Sequence, residues 1–292
     1  MNNVLFEGCA TALVTPFKNG EVDYDALGKI LDHQINGGIK TIVLLGTTSE
    51  ASTLEFKEED MIIEFAKKRI NGKAKIIIGT GSNDTKTVVK RSIDAKNMGA
   101  DGLLVVTPYY NKCTQKGLVA HYKAVTDAVK IPVIVYNVPA RTGMNMTPET
   151  VLELAKNPYI MGLKEASGNL DQIVRLAQML DGKMALYSGE DGFDYVYLAL
   201  GAKGMISVAA NAFPKQKVAL AEAMKKGDFA KGRAEHNKML EMNNVLFCEV
   251  NPIPVKAMMH HLGLCSDEMR APLTTIEEPN REKLIAAYKR LK

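Results

Sequence analysis

Short apolar runs rich in β-branched residues recur roughly every thirty residues: CATALV (9–14), TIVLLG (41–46), KIIIGTG (75–81), GLLVVTP (102–108), PVIVYNV (132–138), YIMGLKE (159–165), MALYSGE (184–190) and GMISVAA (204–210). Between them lie segments with helical spacing, such as Tyr24, Leu27, Ile30, Leu31 and Ile35, or Met61, Ile62, Phe65 and Ala66, and many close on glycine, as in INGG and KNMGA. Strands alternating with helices pair in parallel. Strands of a parallel sheet are covered on both faces and so read as unbroken apolar runs, which TIVLLG and GLLVV do. Eight such units predict a closed (β/α)8 TIM barrel. The rival doubly wound sheet would want GxGxxG after its first strand, but Thr15, Pro16 and Phe17 follow Val14. No GxxxxGK[ST] loop for cradling phosphate occurs. Beyond residue 213 the strand pattern stops, and helical stretches are expected over 214–248, 253–262 and 280–291. The expected organisation is a catalytic barrel over 1–225 with a C-terminal helical region over 226–292.

Composition narrows the function class. The 292 residues are 46% hydrophobic and 24% charged, which suits an ordinary globular protein able to bury a full core. The net charge of +4 is spread along the chain without a dense basic block, and there is no tryptophan, so nucleic-acid binding has little support. The opening MNNVLFEGCATALV lacks a basic region and its apolar run is interrupted by Glu7 and Pro16, which argues against a secretion signal or membrane anchor. A cytoplasmic protein is expected. Cys9, Cys113, Cys248 and Cys265 are far apart, form no CxxC pair and have no histidine at zinc-ligand spacing, so reduced thiols are expected. The five histidines mostly fall on predicted helices away from strand ends, which disfavours a metal centre of clustered His ligands, and no metal or organic cofactor is expected.

In this barrel class catalytic groups gather at the C-terminal ends of strands. There the chain places Thr47 and Thr48, Tyr109 and Tyr110, Tyr136 with Arg141 beyond it, Lys164, and Ser188 with Gly189. Lys164 closes the apolar run Ile160, Met161, Gly162, Leu163. It is either an amine capping the strand and pairing with Glu165 at the surface, or a desolvated amine able to attack a carbonyl. An attacking lysine forms a Schiff base, and the iminium draws electrons from the neighbouring carbon to give an enamine. Tyr136, one strand away, is either a proton relay or a packing aromatic. Thr47 and Thr48 offer hydroxyls and backbone N–H groups to a carboxylate, or simply end a strand. Arg141 is a bidentate carboxylate grip or a solvated loop charge. Their convergence on strand ends favours a site.

The motifs TALVTPF (11–17), GTTSEASTL (46–54), TPYYNK (107–112), YNVPARTG (136–143), GLKEASG (162–168), SGED (188–191) and NPIPVK (251–256) resemble, in order and spacing, the dihydrodipicolinate synthase family of class I pyruvate-dependent aldolases and lyases. The resemblance implies that Lys164 forms a Schiff base with pyruvate, and that Tyr136, Thr47 and Tyr110 relay protons, Tyr110 acting across a tight dimer interface. It implies that Thr48 joins Thr47 in holding the pyruvate carboxylate. Arg141 would bind the carboxylate of the second substrate, L-aspartate 4-semialdehyde, with Gly189 and Ile206 lining the pocket. It also implies a homotetramer built as two dimers. Two relatives of the same fold differ at telling positions. N-acetylneuraminate lyases usually carry Ser at the place of Thr47 and lack the arginine of the PARTG loop, and 2-keto-3-deoxygluconate aldolases generally lack that arginine too. A non-catalytic binding protein on this scaffold would be free to lose Lys164 or Tyr136, and both are present. Ser49 stands where the family usually has Gly, which predicts strain if that position needs a positive φ.

Overall fold

Each apolar run becomes a strand: β1 Gly8–Ala12, β2 Thr41–Leu44, β3 Lys75–Gly79, β4 Gly102–Val106, β5 Val133–Asn137, β6 Ile160–Glu165, β7 Ala185–Ser188 and β8 Gly204–Ser207. The computed structural model describes residues 4–291, and in it these strands form a closed barrel in chain order, the expected (β/α)8 architecture. Helices α1 Tyr24–Asn36, α2 Phe56–Ile70, α3 Thr85–Asn97, α4 Gln115–Val129, α5 Pro139–Thr142, α6 Pro148–Leu154, α7 Leu170–Leu180 and α8 Asp194–Ala199 fill the connections. After β8 come α9 Pro214–Lys225, α10 Phe229–Val245, α11 Ile253–His261 and α12 Glu278–Leu291. Short polar side chains start many of these helices. Asp23, Asp84, Thr114, Thr147 and Asn169 each accept from a backbone N–H of the first turn, satisfying donors that a helix leaves unpaired. The glycines expected to close helices do so with left-handed backbone at Gly38 (φ 92°) and Gly99 (φ 89°).

The single helical stretch expected over 214–248 is two helices. Gly227 adopts φ 73°, which ends α9, and Asp228 then caps α10 by accepting from the Lys231 N–H. Two compact units make up the chain. One holds Ile76–Ile206 with the segment leading into Gly8; the other holds Cys9–Lys75 with the chain from Ser207 onward. The expected domain boundary at 225/226 falls in the turn between α9 and α10, both of which lie in the second unit.

The second unit is organised around a buried ion pair. Thr47–Ser49 forms a 3-10 turn after β2, and Glu50 follows in the left-handed region at φ 55°. Its carboxylate accepts from Lys256 Nζ at 2.8 Å, and both side chains are fully buried. The second Glu50 oxygen accepts from the Arg270 backbone N–H at 3.1 Å, and Lys256 donates again to the Glu268 carbonyl. Lys256 Nζ and the Arg270 guanidinium carbon lie 4.4 and 4.6 Å from the Phe17 ring centroid. Arg270 also makes a two-pronged contact with Glu58. The loop carrying Thr47 and Thr48 is thereby fastened to α11, the segment around Arg270 and Phe17. Ser49 does not carry the strain foreseen for it: the positive φ falls on Glu50, and Ser49 Oγ donates to the Leu13 carbonyl at 2.6 Å.

Removing one partner of a buried pair leaves the other charge dry and uncompensated. Lys256→Met is expected to destabilise the protein by about 3–5 kcal/mol in urea unfolding; a loss below about 1 kcal/mol would show that the pair does not support this unit.

Candidate active site

Lys164 and Tyr136 meet because of a one-residue irregularity in strand pairing. At its start, β5 pairs with β6 at Val133↔Ile160; one residue later the pairing is Ile134↔Gly162, and it continues to Tyr136↔Lys164 and Asn137↔Glu165. Met161 is the extra residue. Because successive side chains of a strand point to opposite faces, the irregularity decides which β6 residue stands beside Tyr136. The Lys164 amine lies 4.3 Å from the Tyr136 ring centroid, with Lys164 5% and Tyr136 7% exposed. Gly162 clears space on this strand, since a Cβ there would lie 2.6 Å from the Tyr187 ring.

Dryness sets the electrostatics. Burial, reinforced by the charge of Arg141, draws the Lys164 amine down to about 8, against the opposing pull of the buried carboxylates Asp191 and Asp194. Burial pushes the Tyr136 phenol up to about 12, with Glu190 and Glu165 adding to the effect and Arg141 opposing it. Glu190 is itself raised to about 7 by burial, although it accepts from the Gly168 N–H at 3.2 Å. At neutral pH roughly one Lys164 in ten is the nucleophilic neutral amine, against fewer than about one in a thousand for an ordinary lysine. The phenol keeps its proton and can donate it. Together they can add an amine to a carbonyl and move protons beside the adduct.

Lys164 does not pair with Glu165 at the surface, the ordinary alternative for it. Glu165 is fully buried and accepts from Asn137 Nδ2, the Ser167 N–H and Gln172 Nε2. Gly189 touches the amine's stem: a Cβ there would stand 3.1 Å from Lys164 Cε and 2.9 Å from both Ala166 Cβ and the Glu165 carbonyl. Ile206 is buried on β8, the strand paired with β7. Arg141 lies on α5, one turn ended by Gly143 at φ 68°, near enough for its charge to act on both Lys164 and Tyr136. Tyr109 and Tyr110 lie beyond the end of β4 at Val106; Tyr110 has φ 68° and is 89% exposed, so it packs into nothing within its own unit. In the second unit Thr47 is exposed and Thr48 buried, its Oγ1 accepting from Asn251 Nδ2 at 3.0 Å.

A model of the dihydrodipicolinate synthetase family matches residues 5–291. The chain belongs to that family. It is 46% identical over 285 residues to the 4-hydroxy-tetrahydrodipicolinate synthase of Geotalea uraniireducens, with 98% of each chain covered. The crystal structure of dihydrodipicolinate synthase from Thermotoga maritima superposes with a TM-score of 0.97 at 38% identity, covering 98% of this chain and 99% of that one. The chloride-inhibited dihydrodipicolinate synthase from Acinetobacter baumannii, solved with pyruvate, gives a TM-score of 0.96 at 42% identity, covering 98% and 99%. Among the described residues no cluster of His, Cys, Asp and Glu could hold a metal ion, and no helix is long and apolar enough to cross a membrane. All four cysteines are free, and the histidines lie on α1, α4, α10 and α11.

In this member of the synthetase family several residues with a task escaped the sequence reading. Glu190 and Asp191, which act on the Tyr136–Lys164 pair, belong to the SGED motif; Asn251 and Lys256, which hold the Thr47–Glu50 turn within the second unit, belong to NPIPVK. The motifs marked the segments but not their tasks. Asp194 carried no signal. A charged ammonium is no nucleophile, so labelling of Lys164 by an amine-directed arylating reagent should rise with pH to half its maximum near 8, while surface lysines require pH above about 10. Peptide mapping by mass spectrometry after brief exposure across pH reads this directly, and a midpoint near that of the surface lysines would contradict the dry environment.

Proposed function

We propose that the chain is a 4-hydroxy-tetrahydrodipicolinate synthase, which joins pyruvate to L-aspartate 4-semialdehyde in the committed step of diaminopimelate and lysine synthesis. The observation that carries this reading is the dry Lys164 amine beside the Tyr136 phenol in a chain of this family. The Lys164 nitrogen adds to the keto carbon of pyruvate, and loss of water leaves the iminium. A proton leaving the methyl carbon gives the enamine, whose carbon attacks the aldehyde of the second substrate; the new alkoxide takes up a proton. The product amine then displaces Lys164 from the imine carbon, closing the ring and freeing the enzyme. The iminium is the electron sink, so the chemistry asks for no metal or organic cofactor.

Tyr136, Thr47 and Tyr110 are assigned the proton relay, and Thr47 with Thr48 the pyruvate carboxylate. Arg141 is assigned the aldehyde's carboxylate, with Gly189 and Ile206 lining the pocket through backbone groups. The exposure of Tyr110 and its left-handed backbone support a role served by the partner subunit's Tyr110 across a dimer. The proposed assembly is a homotetramer of two such dimers, and four free cysteines support a reducing, cytoplasmic setting.

Borohydride reduction in the presence of pyruvate should add one pyruvate-derived group to Lys164, and Lys164→Ala should abolish both the adduct and turnover. Trapping that persists on another lysine would overturn the assignment. Tyr110→Phe should lower turnover sharply, and mixing it with Lys164→Ala under conditions of demonstrated subunit exchange should restore part of the activity, because each hybrid dimer then holds one complete site. No recovery would count against a shared site.

A further inference from the structure

Behind the Tyr136–Lys164 pair the strands carry a second pair, Asn137 and Glu165, in register with each other and both fully buried. Alternation turns these side chains away from the face that carries the amine and phenol. Asn137 spends both amide hydrogens there and uses its oxygen as well: Nδ2 donates to Glu165 Oε2 and to Asn145 Oδ1, both at 2.9 Å, and Oδ1 accepts from the Met146 N–H at 2.9 Å. Asn145 Nδ2 donates to Gln172 Oε1 at 2.7 Å, and Gln172 Nε2 returns to Asn145 Oδ1 at 3.1 Å and to Glu165 Oε1 at 3.4 Å. The four side chains close a ring. Asn137, Glu165 and Gln172 are its dry part, and Asn145 is its solvent edge.

The ring ties together the two ends of the segment that carries Arg141. The chain leaves β5 after Asn137, turns through α5, and is caught again at Asn145 and Met146 by side chains of β5 and α7. Gln115 of α4 holds the same exit from the other side, donating to the Asn145 carbonyl at 2.9 Å and accepting from the Thr147 N–H and the Thr150 hydroxyl. Both ends of the Arg141 turn are thus tied to the strands bearing Tyr136 and Lys164. No part of the ring belongs to the reacting pair itself.

We propose that the Asn137–Glu165–Asn145–Gln172 ring is a positioning device that holds Arg141 at a fixed reach from Lys164, and so sets the affinity for the carboxylate of the second substrate. This rests on the assignment of Arg141 given above. A bidentate grip depends on geometry, and a displacement of about 1 Å is enough to lose much of it. Asn145→Ala and Gln172→Ala cut the ring far from the amine. Each should raise the KM for L-aspartate 4-semialdehyde by about fivefold or more, leaving the KM for pyruvate within about twofold and pyruvate trapping at Lys164 unchanged. In an Arg141→Ala background the ring variants should add nothing further, because a device that works through Arg141 has no effect once Arg141 is gone.

Three results would overturn the proposal: equal KM changes for both substrates, a lowered melting temperature with both KM values unmoved, or effects that add fully to Arg141→Ala. The control separates the two levels of the argument. An Arg141→Ala enzyme with an unchanged KM for the aldehyde would sink the assignment of Arg141 and the positioning proposal with it. A raised KM there, with unmoved KM in both ring variants, would sink the positioning proposal alone.

Discussion

The pairing of β5 with β6 is the constraint on which the candidate site depends. The offset between partners is 27 residues at Val133↔Ile160 and 28 from Ile134↔Gly162 onward. Were the first offset kept, Leu163 would stand beside Tyr136. The extra residue at Met161 instead brings an amine to a phenol, and by the same step sets Asn137 against Glu165 behind them. Two adjacent rungs of one ladder therefore serve different ends. The forward rung carries reactivity, and the rear rung carries the hydrogen bonds that hold the surrounding loop.

Burial then does two opposed things in one small volume. It makes Lys164 a better nucleophile by penalising its charge, and it makes Tyr136 a poorer acid by penalising the phenolate. A lysine buried with no nearby carboxylate would fall further, as burial alone can depress an amine by several units. Asp191 and Asp194 limit the fall. The Lys164 value near 8 is thus a balance between a dry site and two buried acids, which leaves both the protonated and neutral amine populated at physiological pH.

The second unit meets a different demand with the same economy. Thr47 and Thr48 sit on a turn next to a non-glycine residue in left-handed backbone, a conformation that persists when its surroundings over-determine it. Here the surroundings are Lys256, the Arg270 N–H and the Asn251 amide, each from the chain's last fifty residues. Glu50 is charged and fully buried because its carboxylate meets a cation and a backbone donor. The region that reads in sequence as an appended helical stretch is, within its own unit, the support of a loop near the chain's beginning.

Local pattern by itself determined the eight strands, the helices between them and the closed parallel architecture, because a two-sided apolar run and a helical stripe each leave a period that needs no distant partner to be read. Lys164 stood out for a similar reason, as a charge at the end of an apolar run. The break at Gly227 and Asp228 went unread, because the helical pattern continues on either side of it. What only the tertiary structure decided are relations between segments far apart in sequence. The irregularity at Met161 sets which side chain of β6 faces Tyr136, and hydropathy carries no record of pairing offset. The partners of Glu50, Asn137 and Glu165 are equally invisible in one dimension, since a buried polar group announces only that it needs a partner, and packing selects which one.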